Sequence, residues 1–325
     1  MADRHYHIIL NPRAGTASAL GLTGENVGER FAREGYSFDI DAHDERPLEE
    51  RIEAALAGPA DVIVAGGGDG TAAAIAQALV GTDKALAVLP LGTYNALSKD
   101  LGVPLDIDAA IIALRAMEKV KIDAAEVNGK IFLHNVLIGV IPGIAVGREA
   151  MRDASPLQWI GFIRFIVRRV SRAKRMAIVI DPDNSDARVE RVQAIAVANN
   201  SYDEKLGGFL TRKRLDRGSL SLYVMKTLRV RDMLRITAEM FAGRWRGDDA
   251  ISFESVRALT IRTHKPNLLV SLDGEVLTLS TPLNFEVKPQ ALLVLGSPEA
   301  PPVKAAETVP EGESVPQAEA VAVEA

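Results

Sequence analysis

The chain contains no cysteine, and this absence removes several classes of chemistry. Disulfide bonds, cysteine-based zinc sites and thiol catalysis are excluded. No apolar run reaches the roughly 20 residues that a membrane-spanning helix needs. The N-terminal segment also lacks the apolar core of a secretion signal before the first strand. We therefore expect a cytoplasmic protein.

The chain has little net charge outside its last segment. The formal net charge is −5, and residues 298–325 account for it with six Glu and one Lys. The remainder is about neutral and shows no aromatic platform on which bases could stack, so nucleic acid is not an expected partner. The acidic segment is rich in Pro, Ala and Glu and has no aromatic residue, and we expect it to be disordered.

Strand and helix patterns alternate over residues 5–120. The predicted strands are His7–Leu10, Tyr36–Asp41, Asp61–Ala65 and Ala85–Pro90, and the first predicted helix is a single one over Ala17–Arg33. This alternation indicates a doubly wound parallel sheet covered by helices on both faces, which is a three-layer αβα arrangement. We assign this α/β domain to residues 1–121.

The pattern changes after Lys121 to a series of short strands. Asn128-Gly129 and Asp273-Gly274 are typical of tight hairpin turns, and Ser252–Thr263 has the pattern of one strand. We expect a mostly antiparallel, β-sandwich-like second domain over residues 122–283. The last apolar stretch, residues 284–296, fits either this domain or a return to the first.

A glycine-rich turn joins the third predicted strand to a helix. Gly66 to Gly68 are followed by Asp69, Gly70 and Thr71, and then by an alanine-rich helical run. Such a turn exposes backbone N–H groups at the positive end of a helix dipole, where phosphate binds. A carboxylate in the turn suggests a Mg²⁺ ion between protein and phosphates. The spacing matches neither the dinucleotide motif nor the P-loop, so an ordinary tight turn remains open.

Two further loops follow predicted strands of the same sheet. They are Asn11–Gly15 and Gly92–Asn95. Because ligands of open α/β sheets bind at the carboxyl ends of the strands, these loops and the glycine turn are expected to line one crevice.

Four segments together resemble the catalytic domain of the diacylglycerol kinase family, which includes bacterial lipid kinases and sphingosine kinases. They are N-P-R-A-G at 11–15, G-G-D-G-T at 67–71, P-L-G-T-Y-N at 90–95 and S-L-D-G-E at 271–275. The G-G-D-G-T element is shared with NAD kinases and phosphofructokinases, but its combination with the other segments is more specific. The resemblance covers residues 5–297.

The resemblance implies an ATP- and Mg²⁺-dependent lipid kinase whose second domain brings the lipid acceptor, diacylglycerol or a similar hydroxylated lipid. Asp273 would be the general base, and Asp69, Asp216 and Glu275 would serve the metal. The implied nucleotide-binding residues are Asn11, Pro12, Arg13, Ala14, Gly15, Gly67, Gly68, Asp69, Gly70, Thr71, Gly92, Thr93 and Asn95.

Simpler interpretations of some of these residues stay open. Asp273 and Asp216 also fit turns, and His134, in an apolar segment, fits a buried core histidine. Ala96 stands where many members of the family carry an acidic residue, which predicts a metal site with fewer carboxylates.

Residues 155–175 combine apolar and basic side chains at helical spacing. Ser155 and Pro156 are typical of a helix start. Trp159 and Phe162 belong to the apolar side, and Arg164, Arg168 and Arg169 lie on other faces or towards the end. A basic amphipathic helix suits binding to an anionic lipid surface, and a second basic-aromatic segment, Met240–Arg246, would widen that surface. The alternative is a helix that packs on the β domain.

We therefore expect a lipid kinase that is peripheral at the inner face of the membrane, and a homodimer is compatible with these features. Two other hypotheses remain. One is a kinase of a soluble substrate, such as an NAD kinase. The other is a nucleotide- or lipid-binding protein without turnover.

Overall fold

The computed structural model describes residues 4–144, 155–203, 212, 214–227, 229–245 and 250–297. The acidic segment 298–325 lies outside the described residues.

A parallel sheet forms the first half of the fold. Its strands β1 (His5–Leu10), β2 (Ser37–Asp41), β3 (Val62–Gly67) and β4 (Ala85–Pro90) lie in the order β2-β1-β3-β4. Every residue of β3 and β4 is buried. Strands buried on both faces confirm the expected parallel α/β sheet.

The helices of this half are α1 (Gly15–Ala19), α2 (Gly24–Arg33), α3 (Leu48–Ala57), α4 (Asp69–Leu79), α5 (Ala96–Asp100) and α6 (Ile107–Ala113). The single helix expected over Ala17–Arg33 is wrong. Gly21 adopts φ 60°, a left-handed conformation that ends a helix. Thr23 then caps α2, because its hydroxyl accepts from the Asn26 backbone N–H while the Asn26 side chain accepts from the Thr23 N–H.

The second half is built from strands that mostly pair antiparallel. They are β5 (Glu118–Val127), β6 (Lys130–Phe132), β7 (Asn135–Gly139), β8 (Met176–Pro182), β9 (Arg188–Val192), β10 (Ala194–Asn199), β11 (Leu220–Met225), β12 (Ser252–Val256), β13 (Ala258–Arg262), β14 (Asn267–Leu272), β15 (Glu275–Ser280) and β16 (Leu283–Gly296).

Two sheets organise these strands. One has the order β12-β11-β10-β7-β14-β15 and is antiparallel at each of its pairings. The other continues the parallel sheet as β4-β16-β13-β8-β9, with β5 also paired to β16. Buried side chains from both sheets, such as Val136 and Ile195 on one and Ile180 and Phe285 on the other, form one core. This is the expected β-sandwich.

The strand expected over Ser252–Thr263 is two strands in different sheets. β12 pairs with β11, whereas β13 pairs with β16 and β8. The chain crosses between the sheets at Arg257, whose N–H donates to the Asp183 carboxylate over 3.2 Å. The alternation of hydrophobic residues does not reveal such a crossing, because both strands face the same core.

Strand β16 belongs to both halves. Leu283 to Glu286 pair with β13, Phe285 to Gly296 pair with β5, and Val294 lies opposite Leu86 of β4. The two halves therefore share one hydrogen-bonded sheet.

Two longer helices lie beside the second sheet. They are α7 (Pro156–Ser171) and α8 (Val230–Ala242), and Val170 and Ile236 share a buried cluster with Ala194 of β10. Ser155 caps α7 and Pro156 occupies its first turn, as the sequence predicts. Within the described ranges, no helix is both long and apolar enough to cross a membrane.

Candidate active site

Three loops meet at the carboxyl ends of β1, β3 and β4. The Asn11 N–H donates to the Gly66 carbonyl over 2.7 Å. Thr16, just after the first loop, donates its N–H to the Leu91 carbonyl and its hydroxyl to the Gly92 carbonyl, both over 3.0 Å. The structure thus brings Asn11–Gly15 against both other predicted loops.

The glycines of these loops allow the backbones to touch. A Cβ on Gly92 would lie 2.7 Å from the Gly68 Cα, a distance that Cβ contacts do not reach. A Cβ on Gly15 would lie 3.1 Å from the Thr93 hydroxyl oxygen. Gly70, in contrast, faces space with no atom of another segment within 4 Å of a built Cβ. The loops are therefore packed against each other and open in front of Gly70.

Helix α4 begins at this opening. Its N-cap is Gly68, and no side chain caps the helix. The first N–H groups of a helix have no partner within the helix and carry its positive dipole end. This end of α4 is therefore suited to an anion.

Asp69 holds the neighbouring loop in place. Its two carboxylate oxygens accept from the backbone N–H of Asn95 over 3.1 Å and of Ala96 over 2.8 Å. Asn95 sits at φ 51°, and its side-chain oxygen accepts from the Gly92 N–H over 2.8 Å. Asp69 thus joins the glycine turn to the start of α5, an arrangement that its proposed metal role did not anticipate.

In the loop Asn11–Gly15, the described polar side-chain contacts are made within the loop or with Asp44. The Arg13 guanidinium is exposed and pairs with Asp44 over 2.7 Å. The Asn11 side-chain oxygen accepts from the Arg13 N–H over 3.1 Å, which fixes the turn through Pro12.

Asp273 lies in the turn of the β14–β15 hairpin. It adopts φ 47° and Gly274 adopts φ 96°, so the hairpin that Asp-Gly predicts is confirmed. Its carboxylate accepts from the backbone N–H of Leu133 over 2.7 Å and from those of His134 and Asn135 over 2.9 Å. Burial raises the pKa of the Asp273 carboxyl, while these donors and the Arg212 guanidinium oppose the rise.

The three predicted metal ligands do not come together. Asp216 pairs with the Arg214 guanidinium through both oxygens, over 3.0 and 3.2 Å. Glu275 is exposed on β15, and Asp69 is bonded to backbone amides. In the part of the chain that the structure describes, no group of three acidic or histidine side chains could hold a metal ion. The metal role of these residues stays a prediction.

A buried ion pair that no sequence pattern predicted lies between the two halves. Arg212 donates to the Asp100 carboxylate, with Nη2 at 2.5 Å, and its side chain is only 1% exposed. Arg212 also donates to Nδ1 of His134 over 2.7 Å. Burial and the Arg212 charge lower the pKa of His134 well below its ordinary value, which favours the neutral ring. No local pattern marks this pair, because its members are 112 positions apart.

The predicted membrane helix exposes part of its apolar side. Trp159 is 43% exposed, and Arg164, Arg168 and Arg169 are exposed. Phe162 differs from the expectation, since its ring is 8% exposed and packs against Trp159 with centroids 5.8 Å apart.

The second basic-aromatic segment also differs. Trp245 is buried and packs on Tyr223 with centroids 5.3 Å apart, whereas Phe241 is exposed. Arg246 lies outside the described residues.

Comparisons with known proteins agree with this architecture. Residues 5–127 match the diacylglycerol kinase catalytic domain, and residues 144–296 match the YegS C-terminal NAD kinase β-sandwich-like domain. A protein of Pseudomonas aeruginosa PAO1 named "Probable lipid kinase YegS-like" is 30% identical over 262 residues, which cover 76% of this chain and 81% of that protein. A Salmonella newport protein named "Probable lipid kinase YegS" is 25% identical over 74% of this chain and 80% of its own length.

A solved structure of a diacylglycerol kinase from Bacillus anthracis strain Sterne shares the fold, with a TM-score of 0.63 at 21% identity over 91% of this chain and 97% of that one. The two domain matches follow each other along the chain as the two halves of the fold do. The chain therefore belongs to the family of probable lipid kinases that are named YegS-like.

Proposed function

We propose that this protein transfers the γ-phosphate of ATP to a hydroxyl group of diacylglycerol or a similar lipid. The observation that carries the proposal is the solvent-accessible, uncapped start of α4 at Gly68 to Gly70, against which the loop of Gly92 and Asn95 packs. Family membership supports a kinase reaction, and the geometry supports a polyphosphate at this position.

The ATP phosphates suit the start of α4 for two reasons. The helix N-terminus offers unpaired backbone N–H groups to an anion, and Gly68 and Gly70 leave the approach free of side chains. The contact of Gly92 with Gly68 places the loop of Thr93 beside this helix end. We therefore assign the phosphate site to these backbone segments.

Asp273 is the proton acceptor in this proposal. The lipid oxygen forms a bond to the γ-phosphorus while the bond between that phosphorus and the bridging oxygen of ADP breaks, and the hydroxyl proton passes to the Asp273 carboxylate. The backbone donors of residues 133–135 fix the carboxylate. The raised pKa of Asp273 makes it a stronger base than an exposed Asp.

Mg²⁺ enters the proposal as the counter-ion of ATP. This ion is usually held by substrate phosphates, waters and one or two carboxylates. Asp69, Asp216 and Glu275 do not form a shared cluster, so we assign no step to a metal that the protein alone would hold.

The lipid reaches the enzyme at an anionic membrane surface that α7 contacts. Trp159, Ile160, Ile163 and Val167 are exposed apolar residues of this helix, with Arg164 and Arg168 beside them. Exposed aromatic and aliphatic side chains bordered by arginines suit the interface of an anionic bilayer. The neighbouring α8 also exposes two apolar side chains, Leu234 and Phe241.

A direct assay tests the proposed function. The full chain is incubated with γ-labelled ATP, Mg²⁺ and vesicles that contain a panel of hydroxylated lipids, with diacylglycerol among them. We expect labelled lipid, and more of it on vesicles with anionic phosphatidylglycerol than on neutral ones. Labelled product from NAD but from no lipid would instead make the protein a kinase of a soluble substrate.

A further inference from the structure

The Arg212 guanidinium has all of its N–H groups engaged. Nε and one Nη2 hydrogen point to the Asp100 carboxylate at 3.1 and 2.5 Å, and the other Nη2 hydrogen points to Nδ1 of His134 at 2.7 Å. Nη1 donates to the carbonyls of Leu133 over 2.5 Å and Asn199 over 2.8 Å. A buried cation satisfied in this way holds a fixed position, because any movement breaks hydrogen bonds that water cannot replace.

One side of this guanidinium leads to the glycine turn. Asp100 is the last residue of α5, and Ala96 is the first. The Ala96 N–H donates to Asp69, which is the first residue of α4. Helix α5 is therefore bound at one end to the proposed phosphate site and at the other end to Arg212.

The other side leads to the proposed base. Leu133 gives its carbonyl to Arg212 and its N–H to Asp273, and His134 gives its Nδ1 to Arg212 and its N–H to Asp273. The same two residues are thus held by Arg212 on one side and by Asp273 on the other.

The His134 ring reinforces this connection. A guanidinium has no acceptor, so Nδ1 of His134 accepts and Nε2 carries the ring proton. Among the described residues Nε2 has no hydrogen-bond partner. Leaving a buried N–H without a partner is unfavourable. The hydrogen bond from Arg212 to Nδ1 holds the ring in this position despite that cost.

We propose that Arg212 is a positioning residue that couples the nucleotide half of the site to Asp273 through Asp100 and the segment 133–135. The inference rests on the proposed function for its kinetic consequence, but the coupling itself is a property of the fold. Loss of Arg212 is expected to disturb the placement of Asp273 while the glycine loops, whose mutual contacts do not involve Arg212, still bind ATP.

Three variants test the coupling, and a matched control separates it from simple destabilisation. Arg212→Lys keeps the charge but cannot make the same set of contacts. Arg212→Gln removes the charge, and Asp100→Asn removes its carboxylate partner. The control is Arg51→Gln, since Arg51 is also buried and bonded, to Asp41 and the Leu10 carbonyl, in the first half of the fold.

The kinetic experiment measures kcat, the KM for ATP and the pH dependence of kcat separately, with rates normalised to the concentration of folded protein. We expect kcat to fall at least tenfold in Arg212→Lys, Arg212→Gln and Asp100→Asn with the KM for ATP changed less than threefold. The acidic limb of kcat should move to higher pH in Arg212→Gln, because the Arg212 charge stabilises ionised Asp273. It should stay in place in Arg51→Gln and Arg212→Lys.

Hydrogen exchange gives a readout that needs no kinase activity. ATP binding to the wild-type chain is expected to slow exchange of the Leu133, His134 and Asn135 amides, and this response should disappear in Arg212→Lys and Asp100→Asn but persist in Arg51→Gln. An unchanged response in both site variants overturns the coupling, as does an unchanged kcat. Normal exchange coupling in a chain that phosphorylates no lipid would instead remove the proposed function and leave the coupling intact. If Arg212→Gln does not fold, Arg212→Lys and Asp100→Asn still decide the question.

Discussion

Replacing Gly92 by alanine tests the contact between the two glycine loops. Gly92 does not have a positive φ, so alanine meets no backbone strain there and the contact alone decides the result. The new Cβ would lie 2.7 Å from the Gly68 Cα and 3.0 Å from the Asn95 side-chain oxygen. The first neighbour is main chain and cannot rotate away.

The expected destabilisation follows from overpacking. Forcing one extra carbon into a packed site costs about 1–3 kcal/mol, and the upper half of that range applies because β3 and β4, which carry both loops, are fully buried. Separating the loops also widens the proposed phosphate site. We therefore expect Gly92→Ala to lose ~2 kcal/mol of unfolding free energy and at least tenfold in ATP affinity.

Urea unfolding and titration with ATP measure the two effects. A lower midpoint with an unchanged m value would report lost stability rather than a changed unfolded state. Gly70→Ala is the first comparison, since its Cβ meets open space: stability should stay within about 0.5 kcal/mol while ATP binding weakens. Gly161→Ala in α7 also meets open space and should gain up to about 1 kcal/mol without affecting ATP binding. Wild-type stability and ATP affinity in Gly92→Ala would refute the reasoning.

Three further predictions concern the base, the buried histidine and the lipid surface. Asp273→Asn should abolish phosphoryl transfer, while titration should still show ATP binding, and measurable turnover in this variant would contradict the role of Asp273 as base. In the wild type, kcat should fall with decreasing pH, and the pH of half-maximal kcat should lie above the pKa of an ordinary Asp because burial raises the Asp273 pKa. Because the pKa of His134 is lowered in the folded chain, the unfolded chain binds more protons below the ordinary pKa of 6.5. The contribution of His134 to stability is therefore fully present above pH 6.5 and is lost as the pH falls towards the pKa of the folded state. Urea midpoints should fall less steeply with decreasing pH in His134→Gln than in the wild type, and equal slopes would contradict this role of His134. The double change Ile163→Gln, Val167→Gln should reduce the fraction of protein that sediments with phosphatidylglycerol vesicles at least fivefold. The control Ile112→Gln alters an equally exposed isoleucine of α6 and should leave this fraction unchanged. Equal binding by the wild type and both variants would place the lipid surface elsewhere.

Local sequence signals predicted the local parts of this structure. Asn128-Gly129 and Asp273-Gly274 both form hairpin turns with positive φ at each residue, because few residue types adopt that geometry. The glycine loops were identified from their position after predicted strands, and the structure adds a reason for their glycines, since a backbone contact such as that of Gly68 with Gly92 leaves no room for a side chain.

Long-range features were not accessible in the same way. The Asp100–Arg212 pair depends on how the two halves meet, and no spacing in the chain records that. Helical periodicity identified the apolar stripe of α7 but not which edge of the stripe faces the protein, so the burial of Phe162 was not predicted. The carboxylate of Asp69 was available to a metal or to backbone amides, and its hydrogen bonds to Asn95 and Ala96 became apparent only from the fold.

The pairing of β16 with β4 has a consequence for folding during synthesis. In the sheet, β4 lies between β3 and β16, and Val294 of β16 lies opposite Leu86. Until β16 leaves the ribosome, β4 has an unpaired, fully apolar edge, which is a template for pairing with other nascent chains. Strand β16 thus closes an edge of a half whose other strands, β1 to β4, are synthesised well before it, and that edge needs protection until β16 is available.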